Sequence, residues 1–260
     1  WVSGDSLPKT SGTYYLTKNV TLDATWQPQA DADIILCLNG KTITYEGKVL
    51  DLTGGKVTIT DCAKKSWKIG TIDAAAEAAD VAEGGTFILY GGKLAGKNGI
   101  GISGAFEMYG GTITGSTNSG VRLNNNAEFT MYGGAITGNA NPKYGYGAGV
   151  RIEGGKFTMN GGCITENSIE SYGSGGGVYA AYQTNFIMNG GTISRNTLGT
   201  NSEGGGVYAF GTFEMNNGEI IDNSTDGTGG GVYHRGWDNY PAGSSKFIMR
   251  GGRITGNTAN

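Results

Sequence analysis

An eleven-residue pattern, F-x-M-x-G-G-x-I-T-x-N, recurs along the chain at irregular intervals and constrains the fold more than any other feature. Its first residues alternate between apolar and variable positions, which is the two-residue period of a β-strand. The Gly pair permits a tight corner that a side chain would obstruct, and the final Asn tolerates a turn. Copies begin at Phe87, in a degenerate form, and at Phe106, Phe129, Phe157, Phe186, Phe213 and Phe247.

A second unit, G-V-R or G-V-Y, lies between successive copies, so each repeat supplies three short strands and three corners. One repeat cannot bury its own Phe, Met, Ile and Val side chains. Stacking the repeats about 4.8 Å apart covers these side chains and pairs the backbones of neighbouring coils. The pattern therefore predicts one all-β domain over residues 1–260, a single-stranded parallel β-helix with loops of variable length. A strict six-residue period is absent, which favours a right-handed coil.

Residues 1–86 follow the pattern less closely than residues 87–260, which are expected to form the regular coils. We expect the first part to form degenerate coils that cap the open end of the solenoid. The Ala-rich segment near 73–83 follows a potential N-cap at Asp73, which predicts a short helix on the side of the coil, with a loop as the alternative. The chain begins at Trp1 without Met and stops abruptly after a repeat, at Asn260, so we interpret it as a piece of a longer protein.

Composition excludes several classes of protein. The net charge is −3 and there is no basic stripe, so nucleic acid is not an expected partner. No apolar run reaches the length of about 18 residues that a membrane span requires. The three cysteines, Cys37, Cys62 and Cys163, fit neither a zinc site nor a disulfide framework. We expect free buried thiols, with a Cys37–Cys62 bridge as the alternative, and neither a metal nor a cofactor.

The strand alternation places one row of side chains on the outer face of the G-V-[RY] strands, between the longest loops. These loops carry Tyr144, Tyr146 and Tyr172. A tyrosine floor between aromatic loops suits a sugar chain, and the strand spacing of about 4.8 Å is close to one sugar unit. A purely structural ladder of stacked rings is the alternative. The predicted ligand-binding residues are Arg122, Arg151, Glu153, Tyr179, Tyr208, Phe210, Tyr233, Arg235, Trp237 and Tyr240.

The tyrosine floor and the loops beside it would form a groove, and two carboxylates could make this groove catalytic. Glu203 and Asp226 occupy comparable loops that precede G-G-G-V-Y on neighbouring coils. Glycosidases use a pair of carboxyl groups about 5 Å apart when they retain configuration, and farther apart when they invert it. Glu203 and Asp226 are therefore the candidate catalytic pair of a glycoside hydrolase or a lyase.

The G-G-x-I elements, such as Gly133–Ile136, resemble the right-handed parallel β-helix repeats of bacterial surface proteins. Polymorphic outer-membrane proteins and Gram-positive wall-anchored proteins carry such repeats. The resemblance covers residues 87–260 clearly and 34–62 weakly, and it implies a pectin-lyase-like fold at a bacterial cell surface or outside the cell. It does not select an activity, because this fold hosts lyases, glycosidases, adhesins and phage tailspikes.

Three functions follow from these observations. The first is an extracellular, non-catalytic domain that contacts a glycan or a host surface through the aromatic groove. The second is a polysaccharide-acting enzyme that uses the same groove. The third is a passive stalk without a ligand.

Overall fold

The chain is a parallel β-helix, as its repeat predicts. The computed structural model describes residues 6–63, 68–236 and 245–260, and this part of the chain contains strands but no helix. Each strand pairs in parallel with the equivalent strands of the coils before and after it, which produces four sheets along the axis. The right-handed sense of the coil stays a prediction.

The first two sheets hold ten strands each. From Thr86 onward they are joined in most coils by a Gly-Gly corner, such as Gly190-Gly191, and in one coil by Asn217-Gly218. The strands of the first sheet are Gly12–Tyr15, Asp33–Cys37, Lys56–Thr60, Thr86–Leu89, Ala105–Met108, Glu128–Met131, Lys156–Met159, Asn185–Met188, Thr212–Met215 and Lys246–Met249. The strands of the second sheet are Val20–Thr21, Thr42–Tyr45, Thr71–Ala74, Lys93–Gly96, Thr112–Thr114, Ala135–Thr137, Cys163–Thr165, Thr192–Ser194, Glu219–Ile221 and Arg253–Thr255.

The third sheet has eight strands and contains the G-V-[RY] units. A fourth sheet, which the sequence did not predict, consists of five two-residue strands. From Ala140 onward, each of these strands begins directly after the Asn that ends the repeated pattern. The strands of the third sheet are Leu50–Leu52, Ala79–Val81, Ile100–Ile102, Val121–Leu123, Val150–Ile152, Val178–Ala180, Val207–Ala209 and Val232–His234. Those of the fourth are Ala140–Asn141, Ser168–Ile169, Thr197–Leu198, Ser224–Thr225 and Thr258–Ala259.

Like residues stack on like residues in the core. The register of the first sheet places Phe157 over Phe129 and under Phe186, with ring centroids 4.6 and 5.0 Å apart. All three rings are buried. Burying one such side chain stabilises the fold by about 1.5–3 kcal/mol, so the repeated Phe, Met, Ile and Val positions supply much of its stability. One hydrophobic cluster runs from Leu7 to Ile220; the division into capping and regular coils stays a prediction.

A ladder of buried asparagines fixes the register between coils. Each side-chain amide of Asn139, Asn167, Asn196 and Asn223 donates a hydrogen bond of 2.9 Å to the Oδ1 atom of the equivalent Asn in the next coil, up to Asn257. The same Oδ1 atom accepts the backbone N–H of the Asn in the coil before, as Asn196 does from Asn167 at 3.0 Å. Buried amide groups require such partners, so a shift of register would leave them unpaired.

The helix predicted near 73–83 is wrong. Thr71–Ala74 is a strand of the second sheet and Ala79–Val81 is a strand of the third. Ile72 lies in register between Ile43 and Leu94 and is buried, as are Ala74, Ala78 and Ala79. The coil supplies hydrogen-bonding partners on both sides of each strand, and this tertiary pairing outweighs the local helix propensity of the Ala run.

The expectation of free thiols is wrong for two of the three cysteines. Cys37 and Cys62 form a disulfide, with Cα atoms 5.9 Å apart. The bond is possible because Cys37 ends a strand that lies in register with Thr60, two residues before Cys62. Cys163 is a free, partly exposed thiol.

Within the described residues, no helix is long and apolar enough to cross a bilayer.

Candidate ligand-binding cleft

The outer row predicted for the third sheet is present in the expected register. Because the flanking Val, Leu, Ile and Ala side chains point into the core, the residue between them points outward. In earlier coils this position holds an acid or Gly, then Arg, and later Tyr. In order along the axis, the row consists of Asp51, Asp80, Gly101, Arg122, Arg151, Tyr179, Tyr208 and Tyr233.

The last three residues of this row form an aromatic floor. The ring centroids of Tyr179 and Tyr208 are 5.2 Å apart and those of Tyr208 and Tyr233 are 5.4 Å apart, with interplanar angles of 18° and 20°. Tyr208 in the middle is only 3% exposed, whereas Tyr179 and Tyr233 are half-buried. The floor is therefore a continuous stacked surface that follows the axis of the coil.

The loops after the fourth sheet form a wall beside this floor. Isolated bridges align Tyr146, Ser174 and Glu203 on successive coils, and they continue to Thr228. The Tyr146 ring lies 4.9 Å from the Tyr179 ring, so the wall meets the floor directly. A small hydrophobic cluster of Ala148, Ile169 and Leu198 supports the wall from behind.

Two tyrosines of the wall occupy an unusual backbone conformation. Tyr144 and Tyr172 have φ values of 62° and 53°, and their rings stack with centroids 5.2 Å apart. The next coil places Asn201 at the equivalent position, with φ 55°. Asn tolerates this left-handed region, whereas a bulky residue there is rare and costs about 1–2 kcal/mol. Tyr144 is 67% exposed and Tyr172 is 48% exposed, so burial does not repay that cost.

The floor and the wall enclose an open cleft of about 490 Å³, within the size range of ligand sites. Of the predicted residues, the structure brings Tyr179, Tyr208, Phe210, Arg235 and Glu203 together as its lining. The wall adds residues outside the predicted set: Tyr144, Tyr146, Tyr172, Gly173, Ser174 and Asn201.

Charged groups lie among the aromatic rings of the cleft. The Arg235 guanidinium donates a hydrogen bond of 3.2 Å to the Tyr208 hydroxyl and lies 6.0 Å from the Phe210 ring centroid. Burial raises the pKa of Tyr233, and the negative charge of Glu203 and a hydrogen bond with it raise the pKa further. The cleft therefore combines a cation, a carboxylate and hydroxyl groups that can donate or accept hydrogen bonds.

The floor tyrosines are neutral at physiological pH. Burial raises the pKa of Tyr179 to about 12, and burial is also the main reason why the pKa of Tyr208 is raised. A neutral phenol presents an apolar ring face and a polar hydroxyl at the same time. This combination suits ligands that have both apolar faces and hydroxyl groups.

The predicted residues at the near end of the row lie beside the cleft. Arg151 pairs with Glu153, and its guanidinium lies 5.3 Å from the Tyr146 ring centroid. Arg122 occupies the adjacent strand, in register with Arg151. These three residues extend the floor toward the N-terminal coils.

Glu203 lines the cleft, whereas Asp226 is not among the lining residues. Glu203 lies in register with Thr228, two residues beyond Asp226, because the two loops differ in length. The Asn260 side-chain amide donates a 3.4 Å hydrogen bond to the Asp226 carboxylate. Trp237 and Tyr240 lie outside the described residues, so the structure does not place them. The catalytic roles stay predictions.

A second outward aromatic row lies at the Gly-Gly corner of the first sheet. Tyr90, Tyr109 and Tyr132 stack with both pairs of ring centroids 4.6 Å apart. In the following coils the row continues as Asn160, Asn189 and Asn216, whose amides are joined by hydrogen bonds of 2.9 Å. We refer to this set as the corner row.

Across the described ranges, no group of three or more His, Cys, Asp or Glu residues is arranged to hold a metal ion. In comparisons with known proteins, no family model, no curated protein and no solved structure matched the chain. The assignment to a parallel β-helix therefore stands on the strand topology, and the resemblance to bacterial surface repeats stays a prediction.

Proposed function

We propose that this protein is an extracellular, non-catalytic β-helix domain that binds a glycan along the aromatic cleft and serves adhesion or carbohydrate recognition at a bacterial surface. The observation that carries the proposal is the pair Tyr144 and Tyr172. Both rings are exposed and both residues have a positive φ that Gly or Asn would adopt at lower cost. Strain at an exposed position supports a functional role for the side chains.

The spacing of the floor also supports a sugar ligand. The ring-to-ring steps of 5.2 and 5.4 Å between Tyr179, Tyr208 and Tyr233 approximate the length of one sugar unit. Apolar sugar faces can pack on the exposed parts of Tyr179 and Tyr233 and on the exposed rings of the wall, while hydroxyl groups bond to Glu203, Arg235 and the phenols. The polar and aromatic groups of the cleft therefore suit a linear sugar chain that lies parallel to the axis of the coil.

The disulfide supports the extracellular location. Disulfides persist in oxidising compartments and are rare in the cytosol. The Cys37–Cys62 bond joins neighbouring coils of the first sheet near the N-terminal part of the chain. An extracellular domain that must hold its coils together without chaperones would benefit from such a bond.

A glycan array followed by calorimetric titration tests the proposal. Wild-type protein should bind at least one class of oligosaccharide, and Tyr172→Asn should weaken that binding about tenfold or more, as expected for a loss of aromatic stacking. Asn is chosen because Asn201 already occupies the equivalent position of the next coil. Tyr109→Ala, in the corner row, is the matched control and should bind as the wild type does. If no oligosaccharide binds, the passive stalk becomes the better interpretation.

A polysaccharide-acting enzyme is the second candidate, because Glu203 places a carboxylate within the aromatic cleft. Incubation of the protein with the bound oligosaccharide would then release shorter fragments. Glu203→Gln should abolish that release while binding persists. Fragment release that survives both Glu203→Gln and Asp226→Asn would exclude these two residues as the catalytic pair.

A further inference from the structure

Two arginines adjoin the aromatic floor at its N-terminal end. Arg122 and Arg151 lie directly opposite one another on neighbouring parallel strands, at the positions that precede Tyr179 in the same outward row. Like charges at such positions repel each other and destabilise the sheet. The chain as a whole has a net charge of −3, so this pair is a local concentration of positive charge rather than part of a general excess.

The protein neutralises only one of the two charges. Arg151 pairs with Glu153 and lies against the Tyr146 ring. Among residues 6–63, 68–236 and 245–260, no hydrogen bond or ion pair reaches the Arg122 side chain. Arg122 is only half-buried, so an anion from solution has access to its guanidinium.

Arg151 is restrained without being fully satisfied. Its Nε atom is buried and has no hydrogen-bond partner, although Glu153 accepts a bond from the same guanidinium. A buried donor without a partner costs about 1–3 kcal/mol, more when it is charged. Guanidinium groups bind carboxylate and sulfate-like oxygens through paired donors. Because the Arg151 Nε atom is buried, the unused capacity to bind an anion from solution lies at Arg122.

Gly101 occupies the outward position of the neighbouring strand, between Arg122 and Asp80. A Cβ atom added to Gly101 would lie 2.9 Å from Oδ1 of Asp80, so the Asp80 carboxylate fills the space over this glycine. Lys48 holds that carboxylate at 2.6 Å, so it is already paired with another cation.

We propose that the ligand of the cleft is an acidic glycan, whose carboxylate or sulfate group binds at Arg122, next to Arg151, while the adjacent sugar ring packs on Tyr179. The inference rests on the proposed glycan-binding function and specifies its substrate class. These three side chains belong to one outward row with one residue per coil. The anionic group and the sugar ring are therefore bound in line, and the glycan has a defined direction along the axis.

Calorimetric titration with three probes tests this inference: a hyaluronan octasaccharide that carries carboxylates, a heparin octasaccharide that carries sulfates as well, and neutral chitohexaose. At least one acidic probe should bind about tenfold or more tightly than chitohexaose, and its affinity should fall as salt screens the charges. The two acidic probes distinguish a preference for carboxylate from a preference for sulfate.

The matched variants are Arg122→Gln and Arg253→Gln. Arg122→Gln should weaken binding of the acidic probe about tenfold, the scale of one charged hydrogen bond, and should leave chitohexaose binding unchanged. Arg253 pairs with Glu219 on the second sheet, so Arg253→Gln removes the same charge away from the cleft and should bind as the wild type does. Circular dichroism and thermal melting would establish that both variants are folded.

Two outcomes would overturn the inference, and they differ in what else they exclude. Equal binding of neutral and acidic probes, unaffected by Arg122→Gln, would reject the acidic ligand and leave the glycan-binding function intact. Failure of every oligosaccharide to bind, on the array as well as in these titrations, would reject the glycan-binding function and the acidic ligand together.

Discussion

The corner row and the aromatic floor are both built from one tyrosine per coil, yet they differ in packing and surroundings. Tyr90, Tyr109 and Tyr132 of the corner row stack 4.6 Å apart, with ring planes 12° from parallel, and all three rings are exposed. Successive rings of the floor lie 5.2 and 5.4 Å apart and are tilted by 18° and 20°. The floor has a wall and a cleft beside it.

This difference separates a position whose residues stack on their own copies from one that we propose binds a ligand. In the corner row, Tyr gives way to Asn160, Asn189 and Asn216, which bond to each other just as the tyrosines stack on each other. Any residue that pairs with its own copy suits that position. The outward row of the third sheet instead changes from acid to Arg to Tyr along the axis, and its side chains contact partners from other loops. Self-pairing indicates a structural role, whereas varied partners indicate recognition.

Removal of one ring from each row should change the free energy of unfolding by clearly different amounts, which is the largest effect expected. Tyr208 is 3% exposed, so Tyr208→Ala should lower the free energy of unfolding by about 3 kcal/mol, as a large-to-small change at a buried site does. Tyr109→Ala should cost about 1 kcal/mol, the scale of an exposed stacking contact. Urea denaturation measures both values. Equal losses would contradict the distinction between the rows.

The pKa values of Tyr109 in the corner row and Tyr179 in the floor are raised for different physical reasons, which titration of the tyrosines should show. A hydrogen bond of 2.8 Å from the Tyr109 hydroxyl to the Glu107 carboxylate is the main cause that raises the pKa of Tyr109 to about 12. Burial is the main cause that raises the pKa of Tyr179 to about 12. Glu107→Gln should therefore return the pKa of Tyr109 toward 10.0 and leave the pKa of Tyr179 unchanged. NMR titration of ring-labelled tyrosine measures both; a shift at Tyr179 would contradict this assignment.

Alkaline unfolding should depend on the floor. The folded state raises the pKa of Tyr179 from 10.0 to about 12 and so favours its neutral form. The corresponding stability is present below pH 10.0 and is lost as the pH rises from 10.0 to about 12, because the unfolded chain ionises first. Tyr179→Phe cannot ionise, so its stability should fall less steeply over that interval. Identical pH profiles for Tyr179→Phe and wild type would argue against a buried phenol.

Replacement of a wall tyrosine should have the smallest effect on stability. Tyr172→Asn relieves the strain of a bulky residue at φ 53° but removes the stacking contact with Tyr144. These terms are each about 1 kcal/mol and oppose one another, so the free energy of unfolding should change by less than about 1 kcal/mol. Urea denaturation again provides the measurement. A loss comparable to that of Tyr208→Ala would mean that the wall supports the fold rather than a ligand.

The sequence was sufficient to predict the features that repeat with an invariant spacing. Val precedes the outward residue in every G-V-[RY] strand, so the register from Arg122 to Tyr233 followed from the repeated spacing alone. The Asn that ends each pattern signalled a turn, and the structure adds that these asparagines bond to one another in the core.

The features that were missed depend on contacts between coils of unequal length. Ala78 and Ala79 belong to a helix-favouring run, but both are buried, and Ala79 lies in register between Leu50 and Ile100 of the third sheet. The equivalence of Tyr172 and Asn201 could not be predicted, because the loops between the strands vary in length. The residue type Tyr also gives no indication that its φ angle is positive. The disulfide depended on the register of two strands that do not carry the repeat.

The ladder of buried asparagines also lets the chain change length in whole coils. Asn196 accepts from Asn167 and donates to Asn223 through the same geometry, so deletion of residues 168–196 would leave Asn167 able to bond to Asn223 directly. Such a deletion would remove Tyr172 from the wall and Tyr179 from the floor in one event. Recombination between repeats could thus lengthen or shorten the cleft by one aromatic step at a time without redesigning the fold.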